Sequence, residues 1–377
     1  MTAPAPIPAR FDPPHRLLLA PGPSTVNPRV LQAMARPVIG HMDPETLRML
    51  HEIQSMLRQV FRTENEMTFP VSGTGTAGME CALVNLLEPG DVALVLVSGA
   101  FAERMKEIAL RCRAEIHVLG GRWAVPVSDD EVEGALAAHP NTKAVLAVHA
   151  ETSTGLRQPL QGIGRLCREY GALFAVDAVA SLGGIQVEVE GWNIDVCYSG
   201  SQKCLSVPPG LAPITFSPRA VEQRVERGDR PMNSFYLDIL PISRYLGTER
   251  LYHHTAPISM LYALHEGLRI VLEEGLEARW QRHEEIGAET LAALEERGFE
   301  PVPPPGYRLP EVICVRLPGG VDDRVARRRL LDEFGIEVAG GLGELAGKVW
   351  RVGLMGESCT RDAVKALLEA IDQVLPG

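Results

Sequence analysis

The feature that most constrains the fold is a series of apolar segments that alternate with helical patterns from residue 66 onward. The segments VALVLVS (92–98), KAVLAVHA (143–150) and ALFAVD (172–177) are apolar at nearly every position. A strand that is apolar throughout is buried on both faces, which is typical of a parallel sheet covered by helices. The pattern therefore predicts an α/β fold built on a mostly parallel sheet.

Further patterns divide the 377 residues into three parts. We expect an extended, proline-rich arm over 1–20, a large domain over 21–275 and a smaller C-terminal α+β domain over 276–377. The segment PVPPPGYRLP (301–310) interrupts the helical pattern before the strands and helices of the smaller domain begin. A chain of this length ordinarily holds two domains, or one large domain with an appendage.

Local signals refine this division. Helices are predicted to begin at Pro28 and Pro44, because proline suits the first helical position. The aromatic stretch 228–255 is predicted to be irregular, and a long helical region is predicted over 258–297.

Composition excludes several classes of function. The hydrophobic share of 45% and the charged share of 23% are ordinary for a soluble globular protein. A net charge of −11 argues against a nucleic-acid or anionic-membrane partner. No apolar run approaches the ~20 residues of a membrane span, and the start of the chain lacks the apolar core of a secretory signal.

The cysteines and histidines point to a reducing compartment and away from a metal site. Seven cysteines is an odd number, and no CxxC pair occurs, so we expect free thiols in the cytoplasm. The adjacent pair His253–His254 belongs to no HExxH motif, and neighbouring histidines point in different directions on a regular element. We therefore expect no bound metal.

The predicted parallel sheet indicates where a site would lie. Ligands of such sheets bind outside the carboxyl ends of the strands, and in a parallel sheet these ends share one edge. The residues that follow the predicted strands are 72–76, 98–101, 149–155, Asp177 and 199–203. The sequence thus predicts a single site that these five segments form together.

Lys203 stands out among these residues. The segment 196–218 contains one formally charged side chain, Lys203, among small, apolar and proline residues. Burial without a carboxylate partner lowers the pKa of a lysine and makes its amine a nucleophile, as in a Schiff-base lysine. The alternative is an ordinary surface lysine.

The stretch GTGTAG (73–78) follows a predicted strand and matches GxGxxG, the dinucleotide fingerprint. That fingerprint also needs an acidic residue at the end of the next strand, but that strand ends in Ser98 and Gly99, and Asp91 lies at its other end. An NAD-dependent oxidoreductase therefore stays a remote alternative. The glycines and hydroxyls at a helix start favour a phosphate cradle, with a plain glycine turn as the other interpretation.

Asp177 completes a set of three features. It ends an apolar strand and precedes the small residues AVASLGG, although an aspartate there can also cap a helix. An enzyme that uses pyridoxal phosphate needs a lysine for the Schiff base, an acid beside the pyridine nitrogen and a phosphate cradle. The predicted edge offers the cradle, Asp177 and Lys203 in that order along the chain.

Longer motifs then carry a resemblance that covers nearly the whole chain. They are LLLAPGPSTVNPRVLQAM, SGTGTAGMECALVNLLEPGD, HAETSTGLRQPL, AVDAVASLGG, YSGSQKCLSVPPG, FYLDI, YHHT and GGLGELAGKVWRVGLMG. In this order they resemble the class V aminotransferases of fold type I, and within them the alanine–glyoxylate (serine–pyruvate) branch. The resemblance implies a large domain with a mostly parallel, seven-stranded type of sheet between helices, and a smaller C-terminal α+β domain.

The resemblance also implies roles around the cofactor, pyridoxal 5′-phosphate. Lys203 would form the Schiff base and then shuttle a proton. Asp177 would pair with the pyridine nitrogen, Phe101 would stack on the ring and Thr152 would contact the side of the ring hydroxyl. The residues expected to bind the phosphate are Thr74, Gly75, Thr76 and Gln202.

Other implied roles concern the substrate and a second subunit. Arg351 would clamp the substrate carboxylate with its planar fork, and Gly22 would line the substrate pocket. Tyr252 and Thr255 would reach the phosphate of the other subunit's cofactor, so the resemblance implies a homodimer with shared sites. The role of His41 stays open.

Two departures from the family pattern are visible. Phe101 stands where the compared family member has tryptophan, so the aromatic face on the ring is smaller. The cradle reads Thr-Gly-Thr rather than Ser-Gly-His, which leaves its phosphate contacts less defined.

The expected reaction is transamination from a small amino acid, alanine or serine, to a small 2-oxo acid, glyoxylate or pyruvate, by way of pyridoxamine phosphate. Related alternatives are ureidoglycine–glyoxylate, aminoethylphosphonate–pyruvate and pyridoxamine–pyruvate transaminases. A cysteine desulfurase-like lyase is a further alternative, but such enzymes carry histidine where Gln202 stands, and neither Cys314 nor Cys359 has the electropositive surroundings of a reactive thiol. No sequence feature supports a non-enzymatic binding protein.

Overall fold

The computed structural model of the protein describes residues 7–375, except 229, 231 and 248. The first six residues of the predicted arm therefore lie outside the described part. No helix within the described part is both long and apolar enough to cross a membrane.

Strands and helices alternate along most of the chain. The strands are β1 (Leu17–Leu18), β2 (Met67–Ser72), β3 (Val92–Val97), β4 (Glu115–Gly120), β5 (Thr142–Val148), β6 (Ala150–Glu151), β7 (Leu156–Arg157), β8 (Leu173–Asp177), β9 (Val196–Tyr198), β10 (Leu211–Phe216), β11 (Glu300–Pro301), β12 (Val312–Arg316), β13 (Ile336–Glu337), β14 (Ala339–Gly340) and β15 (Val349–Gly353). The helices are α1 (Pro28–Met34), α2 (Pro44–Phe61), α3 (Gly75–Leu86), α4 (Ala100–Arg111), α5 (Asp129–Ala138), α6 (Gln161–Tyr170), α7 (Pro218–Glu226), α8 (Ile239–Leu246), α9 (Ile258–Glu274), α10 (Leu276–Glu295), α11 (Asp323–Phe334) and α12 (Arg361–Val374).

A large sheet organises the first three quarters of the chain. Among the described residues it has seven strands, in the order β2-β10-β9-β8-β5-β3-β4. The strand β10 runs antiparallel to both of its neighbours, β2 and β9, and the other pairs are parallel. The predicted α/β fold with a mostly parallel sheet is therefore confirmed.

Helices cover both faces of this sheet, as the apolar strands predict. In β3, Leu94 and Leu96 pack into one core layer with residues of α2, α6 and α9. The alternate residues Val95 and Val97 pack into the opposite layer with residues of α3, α4 and α8. Side chains of a strand alternate between faces, so a strand buried on both sides must be apolar throughout.

Side-chain caps explain where several helices begin. Asp43 directly precedes Pro44 and caps α2, because its carboxylate accepts a hydrogen bond from the Glu45 amide. The side chain of Asn27, which precedes Pro28, accepts an equivalent hydrogen bond at the start of α1. The predicted starts at Pro28 and Pro44 are confirmed. At α5, Ser128 and Glu131 form a reciprocal capping box.

The C-terminal part has its own sheet and core. Within the described part, four strands pair in the order β11-β12-β15-β14, and α11 and α12 pack with them around the buried Trp350. The short β1 pairs in parallel with β13, so the end of the predicted arm lies against this unit. We propose that the chain divides into an arm over 1–20, a large domain over 21–275 and a smaller C-terminal domain over 276–377.

Two stretches differ from their predictions. The stretch 228–255, predicted to be irregular, contains the helix α8, which the Asp238 carboxylate caps. The region 258–297 is two helices rather than one, because Gly275 at φ +85° separates α9 from α10. Only glycine adopts such a φ readily, so the backbone turns there.

A buried arginine joins α10 to the loops of the large sheet. Arg279 is 1% exposed and forms an ion pair with Glu274. Its Nε donates to the Gly183 carbonyl at 2.9 Å, and its Nη2 donates to the Cys204 carbonyl at 2.6 Å. These bonds hold the backbone next to Lys203 against α10.

We expect Arg279→Met to lower the free energy of unfolding by about 2–4 kcal/mol, since the Gly183 and Cys204 carbonyls lose their donor, while Glu274 keeps Arg282 as its partner. Urea-induced unfolding measures this change. The control is Arg165→Met, which removes an exposed i,i+4 pair with Glu169 and should cost less than about 1 kcal/mol. An equal, small loss in both variants would contradict the role of Arg279.

Candidate functional site

A cavity of about 100 Å³ lies at the carboxyl end of the parallel strands. Residues from the ends of β2, β3, β5, β8 and β9 surround it. The predicted site residues that line it are Gly75, Thr76, Phe101, Thr152, Asp177, Gln202 and Lys203. The chain thus brings together residues that are up to 128 positions apart, as expected for one edge of a parallel sheet.

A larger cavity of about 1030 Å³ opens at the opposite end of the sheet, where Met67 begins β2 and Asp195 precedes β9. Carboxylates, among them Glu64, Glu66 and Glu190, line it together with apolar side chains. None of the predicted site residues in the described part lines this cavity. Its size alone therefore does not make it the reactive site.

Lys203 follows β9 and points into the smaller cavity. Its Nζ donates to the carbonyl of Pro21 rather than to a carboxylate. The surrounding protein desolvates the ammonium and lowers the pKa of Lys203 from 10.5 to about 8. A substantial fraction of the amine is therefore neutral near pH 8 and can act as a nucleophile.

Gly22 lies directly against this lysine. Its φ of +105° belongs to the region that favours glycine, and a Cβ at this position would stand 2.5 Å from the Lys203 Nζ. A side chain at residue 22 would therefore occupy the space of the amine. Glycine at this position keeps the wall of the cavity open around Lys203.

Asp177 ends β8 and is 3% exposed. Its Oδ1 accepts a hydrogen bond from the Val179 amide at 2.8 Å. Burial raises the pKa of Asp177 to about 6, and this hydrogen bond opposes part of the shift. At neutral pH the carboxylate stays mostly ionised at the floor of the cavity, where it can pair with a cationic group.

The start of α3 forms one wall of the site. Thr74 is the N-cap residue, yet within the described part its side chain forms no capping hydrogen bond, so its hydroxyl is available to a ligand. A Cβ at Gly75 would stand 2.8 Å from the Val179 Cγ2, so glycine lets the helix start approach the cavity closely. Thr74 and Thr76 are both exposed. Free amides at a helix start attract anions.

A buried polar atom beside the cavity, the Gln202 Oε1, has no hydrogen-bond partner among the described residues. Buried polar atoms are ordinarily hydrogen-bonded, so an unpartnered one beside a cavity indicates that a ligand completes the site.

Arg351 lies on β15 of the C-terminal unit and does not itself line the cavity, but its side chain contacts the loop of Thr152, which does. Its Nε donates to the Gly340 carbonyl at 2.8 Å, and its Nη1 donates to the Thr152 carbonyl at 3.1 Å. Burial lowers the pKa of Arg351, and its charge also acts to lower the pKa of Lys203. A guanidinium has five N–H groups, so others remain for a ligand.

Tyr252 and Thr255 do not line this cavity. Their hydroxyls are 3.4 Å apart, and the Tyr252 ring, 63% exposed in the single chain, stands 5.4 Å from the ring of His41. The predicted role of Tyr252 and Thr255 concerns a second subunit, so it stays a proposal.

Glu151 lies in the predicted segment 149–155, but the sequence analysis gave it no role of its own. Its fully buried carboxylate accepts hydrogen bonds from the Phe101 and Ala102 amides at 3.1 Å and from the Ser153 hydroxyl at 2.6 Å. Burial raises the pKa of Glu151, and these bonds oppose the shift. Glu151 thus ties the loop of Thr152 to the start of α4. An acidic residue directly after an apolar strand was the available signal.

The seven cysteines are all described, free and buried. Burial raises the pKa of Cys314 to about 12 and that of Cys359 to about 11. Neither thiol is therefore an exposed thiolate that could act as a nucleophile.

Comparisons with known proteins agree with this arrangement. The family model described as aminotransferase class-V matches residues 17–361. The chain is 41% identical to the (S)-ureidoglycine–glyoxylate transaminase of Bacillus subtilis, over 96% of this chain and 91% of that protein. It is 42% identical to the alanine–glyoxylate aminotransferase of Callithrix jacchus, over 96% and 88%.

A solved structure is similar to this chain in both fold and sequence. The alanine–glyoxylate aminotransferase from Nostoc sp. superimposes with a TM-score of 0.96 and 47% sequence identity, over 98% of each chain. The matched segment includes the large sheet, the C-terminal unit up to the start of α12, and every residue that lines the smaller cavity. The chain therefore belongs to the class V aminotransferase family.

Proposed function

We propose that this aminotransferase uses pyridoxal 5′-phosphate to move an amino group from a small amino acid, alanine or serine, to a small 2-oxo acid, glyoxylate or pyruvate. The observation that carries the proposal is one cavity that holds Lys203, with its lowered pKa, above the buried Asp177 and beside the start of α3. The names of the two close relatives, both of which include glyoxylate, support the acceptor.

The residues of the cavity fit this cofactor. Gln202 has a side-chain oxygen without a partner in the described part, so its amide is free to turn its N–H groups toward a phosphate. Gly22 and Gly75 leave open the space that a Cβ would fill. The donors at the start of α3 suit an anion, and the Asp177 carboxylate suits a pyridinium nitrogen.

The cofactor, when bound, supplies an aldehyde that exchanges an amino group and a ring that withdraws electrons from the substrate. The Lys203 amine would hold the cofactor and then accept and return the proton of the substrate Cα, for which a pKa near 8 is well matched. Asp177 would keep the ring nitrogen protonated, because an ionised carboxylate stabilises a neighbouring cation.

Other side chains would orient the reacting groups. Glu151 fixes the backbone of Phe101 and the loop of Thr152, so both would hold the cofactor ring at a set angle. Arg351, attached to the Thr152 carbonyl, would bind the substrate carboxylate. Phe101 and the apolar lining would exclude water from this side of the cavity.

Ureidoglycine is the second candidate donor, because a relative with 41% identity bears that name. Rates of glyoxylate consumption with L-alanine, L-serine and (S)-ureidoglycine discriminate between the two branches. Aminoethylphosphonate and pyridoxamine complete the panel of donors. The buried cysteines argue against a desulfurase, which needs an accessible thiolate.

We also propose a homodimer in which Tyr252 and Thr255 of one subunit approach the cofactor phosphate of the other. Their exposure in the single chain and their absence from the lining of its own cavity support this arrangement. Sedimentation of the holoenzyme tests the dimer. The cytoplasmic location stays a prediction.

The first test is an absorption spectrum of the protein supplied with pyridoxal phosphate. We expect a visible band that L-alanine bleaches and glyoxylate restores, since each half reaction changes the form of the cofactor. Lys203→Ala should lose the catalytic cycle entirely, whereas Lys365→Ala, at an exposed lysine of α12, should keep it. The absence of any visible band in the unmodified protein would refute the proposed cofactor.

The pKa of Lys203 generates a second prediction. In cofactor-free protein, acetic anhydride should acetylate Lys203 at a rate that rises with pH through a midpoint near 8, because only the neutral amine reacts. An ordinary lysine would instead show a midpoint near 10.5. Peptide mass spectrometry measures the rate, with exposed Lys365 as an internal reference. A midpoint above 10 would show that Lys203 is not desolvated.

Arg351→Gln should raise the KM for the amino donor by about 100-fold, the cost of losing a charge-assisted pair of hydrogen bonds, with a smaller change in kcat. Steady-state kinetics with L-alanine measure both constants. Arg316→Gln, at an exposed arginine on the neighbouring strand β12, is the matched control. An unchanged KM in Arg351→Gln would remove this residue from the substrate site.

A further inference from the structure

Arg104 is a cation at the mouth of the cavity to which the sequence analysis gave no role. It lies on α4 three residues after Phe101, so both side chains share one face of the helix. Its guanidinium carbon stands 4.9 Å from the centroid of the Phe101 ring. Its Nη1 donates to the Thr76 hydroxyl at 3.4 Å, and Arg104 itself lines the cavity with Lys203 and Asp177.

The charge of Arg104 has no carboxylate partner in the described part of the chain. The neighbouring carboxylate, Glu103, pairs instead with Lys106 on the same helix. The hydrogen bond to Thr76 occupies one of five N–H groups, so most of the guanidinium fork is free. Unlike the helix cations that form i,i+4 pairs, such as Arg111 with Glu107, this one is available to an anionic ligand.

The contact with Thr76 also orients a donor. Thr76 is the second residue of α3, where the helix start favours anions. Because its oxygen accepts from Arg104, its own hydroxyl hydrogen is free to point toward a ligand. Arg104 and Thr76 together thus form a corner with several convergent donors and a net positive charge.

We propose that Arg104 binds the phosphate of the cofactor from α4, beside the start of α3, while the face of its guanidinium holds the Phe101 ring in position. This inference rests on the proposed use of pyridoxal phosphate. A planar guanidinium suits both tasks, because its edge donates to phosphate and its face stacks on an aromatic ring. Arg104 would thereby supply the cationic contact that the Thr-Gly-Thr cradle lacks.

The test compares two ligands that differ only in the phosphate, pyridoxal phosphate and pyridoxal, on the cofactor-free full chain. Spectroscopic titration gives the dissociation constant of each. Arg104→Gln should weaken pyridoxal phosphate by at least about tenfold and change pyridoxal by less than about twofold. Arg104→Lys, which keeps the charge without the fork, should lie between the unmodified protein and Arg104→Gln.

Arg111→Gln, an exposed arginine at the end of the same helix, is the control and should change neither constant. Inorganic phosphate should also compete with pyridoxal phosphate less effectively in Arg104→Gln than in the unmodified protein. Thermal unfolding without ligand shows that each variant is folded.

The outcomes distinguish failure of phosphate binding by Arg104 from failure of the proposed function. Equal weakening of both ligands by Arg104→Gln, or no weakening of either, would overturn phosphate binding by Arg104 and leave the proposed function intact. Failure of the unmodified protein to bind pyridoxal phosphate at all would instead overturn the proposed function. A loss confined to the phosphate-bearing ligand supports the inference.

Discussion

The site depends on a lysine amine that is buried away from water and forms no ion pair with a carboxylate. Lys203 meets this requirement because its partner is a backbone carbonyl, that of Pro21, and because Gly22 has no side chain that would displace the amine. The pKa of the amine falls as a result. The sheet, the bonds of Arg279 to the adjacent backbone and the pairing of the N-terminal segment with β13 all maintain this geometry.

Two buried carboxylates near this amine have different environments. Asp177 accepts one backbone hydrogen bond and keeps room for a ligand, whereas Glu151 receives hydrogen bonds from three amides and a hydroxyl. Burial raises the pKa of both carboxylates, but the Glu151 oxygens are already occupied by protein donors and so are not free to bind a ligand. Asp177 is therefore the carboxylate that can bind the cofactor, and Glu151 is the one that positions Phe101 and Thr152.

The parts predictable from sequence are those that local pattern determines. Apolar strands such as β3 identify the sheet, the strand ends identify the edge, and the uncharged surroundings of Lys203 identify the amine. The pairing of β1 with β13, the helix α8 and the contacts of Glu151 and Arg104 depend on residues distant in sequence or on side-chain direction. No periodicity reports such contacts, so the structure was needed to reveal them.

The pairing of the N-terminal segment with the C-terminal unit affects how the protein is made. Arg16 donates to the Leu331 carbonyl across 315 residues of sequence. At translation rates of about 5–20 residues per second, roughly 15–60 seconds separate the synthesis of these two partners. Throughout that interval the segment that carries Pro21 and Gly22 lacks the strand it pairs with. The pocket around Lys203 is therefore completed late, when nearly the whole chain has left the ribosome.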